Sequence, residues 1–281
     1  MTNGRRAPSL TDLASFELYR LDNPEWFDDG SARVLRGDPG SRYQPWRDEP
    51  SLFMRFAGLP DTEEAYARFA HSYGLLRYSA PARWYSERME NWVESRRRMG
   101  FAVRLWEALR CNSPEAVVGV DVFVRRLMDG NGVYLSEDGC HPTGAASMSG
   151  GPIPAGVFPE DPSVPVALIP ADSCARDAVA AALRVVVNAQ LADSRAHPSL
   201  ASTGSPLGIG LHLTFAVEDL LGAMWLQFIL AIDGNRDYQT CVGCNEPWDA
   251  TGARATRDYC SEKCRQRIAR RSKSEGGITN G

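Results

Sequence analysis

Four cysteines near the C-terminal end constrain this chain more than any other feature: Cys241-x2-Cys244, fifteen intervening residues, then Cys260-x3-Cys264. A Cys-x2-Cys pair bends the backbone so that two thiolates point at one ion. Cys260 and Cys264 fall one turn apart on the same face of a helix. Four thiolates fill a tetrahedral shell and leave no position for an activated water. The spacing therefore predicts one structural Zn2+ held by Cys241, Cys244, Cys260 and Cys264, with no chemistry at the metal. The alternative is four thiols without metal. The clustering speaks against it, because the other three cysteines, Cys111, Cys140 and Cys174, are scattered.

The segment after the second pair reads as a short helix. Ser261 is a good N-cap, Glu262 lies at the positive end of the dipole, and Arg270, Arg271 and Lys273 lie near the negative end. Cys260, Cys264 and Ile268 recur every fourth residue toward the metal, while Lys263, Arg267 and Arg270 share another flank. The charge is uneven along the chain. The whole carries a net charge of −4, residues 251–281 hold eight basic and three acidic side chains, and the other 250 residues are left at −9. An acidic body with a basic tail is unlike a protein coated for non-specific nucleic-acid binding. It fits a body with another task and a small module making one contact, or a tail docked on its own acidic body.

Cys241-x2-Cys244-x3-Trp248, the arginines leading to Asp258-Tyr259-Cys260-Ser261, and the helix opening Cys264-Arg265-x-Arg267 resemble bacterial treble-clef zinc fingers of the CGNR type. Those proteins pair a helical N-terminal region with such a finger and are proposed to be DNA-binding transcription regulators. Leu220 to Gln227 has a similar flavour to their helical body, whereas Cys264-Arg265-Gln266-Arg267 stands where that group has Cys-Gly-Asn-Arg. The resemblance implies a treble-clef module over residues 237–275 and a mainly helical body over 1–236. It also implies a nucleic-acid contact, DNA or RNA, through Arg254, Arg257, Lys263, Arg265, Arg267, Arg270 and Arg271. A structural or protein-interaction finger needs the same cysteines and is the rival reading.

The fold expected is mainly α. The first sixty residues are aromatic-rich and irregular, with Phe16, Tyr19, Trp26, Phe27, Tyr43, Trp46, Phe53 and Phe56 among Asp-Pro-Gly turns; some of this stretch can be strand, and such aromatics read as core anchors. Asp61-x-x-Glu64 is a capping box for a helix to about Tyr73. Ala82 to Cys111 reads as one helix or two broken near Gly100. Ser113-Pro114 starts a helix to about Met128 whose valines also allow a strand. Seven glycines and seven prolines in residues 130–170 predict an irregular insert with short strands at Val133–Leu135 and Val166–Ile169. A helix from Cys174 to Ser194, a loop over Ser199–Gly210 and an apolar helix from Thr214 to Ile232 complete the body.

A body of this length buries a sizeable core unaided. The odd cysteine count, four in metal spacing, suits a reducing cytoplasm, and the N-terminal residues carry no apolar stretch of signal-peptide type. The apolar run ending at Ile232 is too short for a bilayer, so no membrane association is expected. The sequence lacks a Walker loop, Gly-x-Ser-x-Gly and His-Glu-x-x-His, and the four histidines have no ligand spacing. Cys140-His141 is the single adjacent pair that suggests a dyad, and adjacent residues rarely make one. No enzyme activity is expected.

Overall fold

Asp29 begins the fold as it begins the first turn: its Oδ1 accepts from the Ser31 amide and hydroxyl and the Ala32 amide, at 2.8–2.9 Å, while Gly30 adopts a positive φ of 87°. The chain thus reverses between β1 (Leu18–Asp28) and β2 (Arg33–Tyr43), an antiparallel pair extended by the short β3 (Glu87–Arg88). The computed structural model describes residues 17–77, 86–110, 122–128, 130–135, 146–147, 166–193, 196–205, 208–253 and 257–275.

Between β2 and β3 lie α1 (Pro45–Asp48), α2 (Leu52–Ala57) and α3 (Glu63–Tyr73). The N-cap of α3 is Thr62, whose hydroxyl accepts from the Ala65 amide, one residue beyond the expected Asp61. Asp61 instead accepts from the Tyr66 hydroxyl at 2.8 Å. The long α4 (Met89–Arg110) runs unbroken through Gly100. There a Cβ would lie 3.3 Å from the Ala57 carbonyl, so the glycine lets α2 and α4 approach closely.

Next come β4 (Val122–Leu127), β5 (Gly130–Leu135), β6 (Ala146–Ser147) and β7 (Ala167–Ile169), antiparallel in the order β6-β4-β5-β7. The small buried residues of α5 (Ala175–Asp193) pack against this sheet and α4. A hairpin of β8 (Ala196–Ser205) and β9 (Gly208–Val217) leads into α6 (Leu220–Asp233), capped by Asp219. Helix α6 is buried on most sides, and its Gln227 donates to the carbonyls of Pro45 and Glu49 at 3.1 and 2.9 Å. The chain closes with β10 (Tyr238–Thr240), β11 (Pro247–Asp249) and α7 (Glu262–Glu275).

The fold is mixed α and β with antiparallel sheets, which corrects the expectation of a mainly α protein. The errors share a cause. Valines at 122 and 124 pair in β4 where a helix was expected, and the Ser/Thr/Gly/Pro stretch read as a loop supplies half of the paired residues of the β8–β9 hairpin. Thr214 to Val217 belongs to β9, so the apolar run is split between strand and helix. Short apolar runs do not distinguish strand from helix by periodicity, and pairing partners decide.

Of the N-terminal aromatics, Tyr43, Phe53 and Phe56 are buried in the core and Trp26 packs against it, whereas Phe27 is exposed; Phe16 and the Trp46 side chain lie outside the described residues. Trp92 is fully buried, with Phe56, Tyr66 and Phe69 around it at ring separations of 5.6–6.3 Å. A second group joins Phe53, Trp106, Phe228 and Tyr238. Tyr238 belongs to the C-terminal module and is buried in the core of the body, while Gln239 and Thr240 of the same strand are exposed. Among the described residues no helix is long and apolar enough to cross a membrane.

Candidate metal centre and basic helix

The turn between β10 and β11 carries Cys241 and Cys244. Asn245 sits at φ +58°, its amide donating to the Cys241 carbonyl at 2.8 Å, and the Cys241 amide donates to Glu246 at 2.9 Å. The second pair enters from α7: Ser261 caps the helix, its Oγ accepting from the Cys264 amide at 3.4 Å, as its sequence position predicts. The Val242 amide donates to the Asp258 carbonyl at 3.0 Å and ties the β10–β11 knuckle to the approach to that helix.

All four sulfurs lie within 4.8 Å of one another. The Cys244–Cys260 and Cys260–Cys264 separations are 3.7 and 3.6 Å. A tetrahedron with metal–sulfur bonds of about 2.3 Å has edges of about 3.8 Å, so the four fit a single ion. Cys241 and Cys264 are buried, Cys244 and Cys260 half-buried. Burial opposes the Cys241 thiolate, yet the amides of Cys260, Gly243 and Cys244 outweigh it and bring its pKa down to about 6. Burial pushes Cys244 up, and burial with crowding by the other three thiols pushes Cys260 to about 12. Charge accumulating on four crowded sulfurs is the cost that a divalent cation removes.

Trp248 packs beneath the cluster with Cys241, Ala250 and Cys264. Arg257 lies over its ring at 4.9 Å and donates to the Tyr259 and Cys260 carbonyls, each at 3.1 Å. This side chain, expected at a nucleic-acid contact, is thereby engaged in holding the second cysteine pair. Arg265 makes a two-pronged pair with Glu262, at 2.9 and 2.7 Å. Lys263, Arg267 and Arg270 are exposed and have no ion pair among the described residues. Arg254 lies outside the described residues. Arg271 and Lys273 fall in α7, with side chains outside the described set.

The module sits directly on the body. The Ser51 hydroxyl donates to the Pro247 carbonyl at 3.0 Å, and the Tyr238 hydroxyl donates to Pro50 at 3.3 Å. Arg55 pairs with Glu246 at 3.1 Å, and Arg110 pairs with Asp237. None of these seam contacts was anticipated from sequence. Gly243 was missed as well, although a glycine between two paired cysteines is a readable signal of close approach. Cys140 and His141 lie outside the described residues, and His71, one of the four histidines without ligand spacing, lies with its Nδ1 3.0 Å from the Leu21 carbonyl.

The described geometry is that of a zinc-finger-like module able to hold a metal ion. Comparison with protein-family models, with curated proteins and with solved structures finds no match to this chain.

Proposed function

We propose that Cys241, Cys244, Cys260 and Cys264 bind one structural Zn2+ and that the finger so ordered contacts a nucleic-acid phosphate backbone, in transcriptional control. The four-thiolate donor set supports zinc, which is redox-inert and favours tetrahedral sulfur ligation. A reducing cytoplasm is the setting that keeps four such thiols free for metal. No catalysis is assigned to the chain. The observation that carries the nucleic-acid reading is the exposed flank of Lys263, Arg267 and Arg270, unpaired among the described residues. At 1.5 Å per residue these charges rise about 6 and 10.5 Å along one helix face, a short track suited to a run of phosphates.

A second reading rests on the seam. Tyr238, Pro247, Glu246 and Asp237 fasten the finger to the body, as a purely structural module would be fastened. Both readings share the metal and differ in what the outer flank meets. Fluorescence anisotropy with labelled duplex DNA and single-stranded RNA at low salt separates them. Saturable, salt-sensitive binding supports the first reading, and no binding to either leaves the second.

A further inference from the structure

The seam between body and finger forms a half-open groove of about 580 Å3, a volume in the range of small-molecule sites. Its lining mixes polar and apolar surface, the apolar part coming from Met54 of α2, Leu59 just beyond it and Phe69 of α3. Its far wall is the zinc-finger knuckle, through Asn245, Glu246 and Pro247. The lining contains two cations. Arg55 is already engaged, with Glu49 at 3.2 Å, Glu246 at 3.1 Å and the Tyr73 hydroxyl at 2.7 Å. Arg68 is exposed at the mouth with no carboxylate partner among the described residues, and Ser72 stands one helical turn further on with its hydroxyl equally unengaged there.

Apolar surface beside one guanidinium that has no carboxylate partner among the described residues selects a particular chemistry. A carboxylate can take the forked donors of Arg68 bidentately, while an attached ring or short alkyl chain covers Phe69, Leu59 and Met54. A dianion is less suited, because Glu246 and Glu49 already place two carboxylates around Arg55. We infer that this groove binds a small monocarboxylate with an apolar body, held by Arg68 and wedged between helices α2–α3 and the knuckle. Because the knuckle forms one wall, the ligand bridges body and finger, and its binding is linked to metal-held order in the finger. The site does not depend on a nucleic-acid role for α7. It rests on the metal reading only through the order of that wall.

The test uses the full-length, metal-replete chain and ligand-observed NMR with phenylacetate, octanoate and 2-phenylethanol. Expected are saturable binding of at least one carboxylate, binding of the alcohol at least tenfold weaker, and a loss of about tenfold or more for that carboxylate in Arg68→Ala. Arg68→Lys should recover only part of the affinity, since an ammonium cannot reproduce the fork. Zinc content, measured by elemental analysis, should be the same in all three proteins. Neither carboxylate binding, or binding indifferent to both Arg68 variants, overturns the inference. Metal removal supplies a separate reading. Loss of phenylacetate or octanoate binding on chelation supports the knuckle as a wall, and unchanged binding contradicts that wall while leaving the DNA measurements unaffected.

Discussion

Gly243 and Cys264 are pressed together: a Cβ on Gly243 would lie 2.8 Å from the Cys264 Cβ and 3.0 Å from its carbonyl oxygen. The knuckle and the first turn of α7 therefore meet backbone to backbone, which is how two cysteine pairs distant in sequence converge on one point. A side chain there must push the pairs apart. Gly243→Ala is expected to weaken zinc binding about tenfold or more, from the ~1–3 kcal/mol that overpacking costs in tight sites. Competition against a chromogenic chelator reads the loss. Wild-type affinity in the variant would show that the knuckle and helix move independently.

Arg257 is expected to support the finger and not its contact with phosphate. Its guanidinium covers Trp248 and caps two carbonyls beside the second cysteine pair. Replacement by alanine should destabilise the metal-bound finger by about 1–2 kcal/mol, and lysine should restore little, lacking the planar fork. At full zinc loading, the slope of log affinity for DNA against log salt should stay at its wild-type value in Arg257→Ala. A flattened slope would return Arg257 to the contact surface.

Tyr238 links module and body. Its ring packs edge to face with Phe53 at 5.3 Å and Trp106 at 6.1 Å, and its hydroxyl donates to the Pro50 carbonyl. Tyr238→Ala should cost the body about 3–5 kcal/mol in denaturant unfolding, the usual range for deleting a buried aromatic ring. A change below 1 kcal/mol, or loss confined to the finger, would mean that the body closes without it.

Glu87 gives the body a pH dependence. Burial raises its pKa from 4.5 to about 7, against the Leu76 and Arg77 amides and the Arg77 guanidinium, which favour the carboxylate, and with Asp219, which disfavours it. The Leu76 amide donates to its Oε2 at 2.6 Å, while its Oε1 has no partner among the described residues. A folded pKa above the unfolded one means that the native state binds the extra proton. This contribution is present below about pH 4.5 and is lost as pH rises toward and past 7. Glu87→Gln, which keeps the acceptor, should match wild type near pH 4.5 and exceed it by up to about 3 kcal/mol at pH 8. Parallel stability curves for the two proteins would contradict this.

The metal centre was legible in the sequence because its signal is local. Two cysteine pairs and a serine cap fix hairpin knuckle and helix within one short segment, and Ser261 caps α7 where its position requires. The β4–β7 sheet and the β8–β9 hairpin were not legible, since Val122 and Leu200 are strand residues only by virtue of Leu135 and Leu213 opposite them. The seam was hidden for the same reason. Nothing near Ser51 announces Pro247, which is 196 residues away. Individual arginines were also indistinguishable: Arg257, Arg265 and Arg267 read alike in sequence, and only their partners divide them into brace, ion pair and open charge.

The flank of α7 is tested most directly by the salt dependence of DNA binding. Each phosphate contact contributes about 0.9 to the slope of log affinity against log salt on duplex DNA. The variant with Lys263, Arg267 and Arg270 all replaced by alanine should flatten that slope by about two to three units while retaining one zinc per chain. An unchanged slope at full zinc content, or no measurable binding by the wild-type protein at low salt, would contradict the nucleic-acid contact and leave the finger as a structural or protein-binding module.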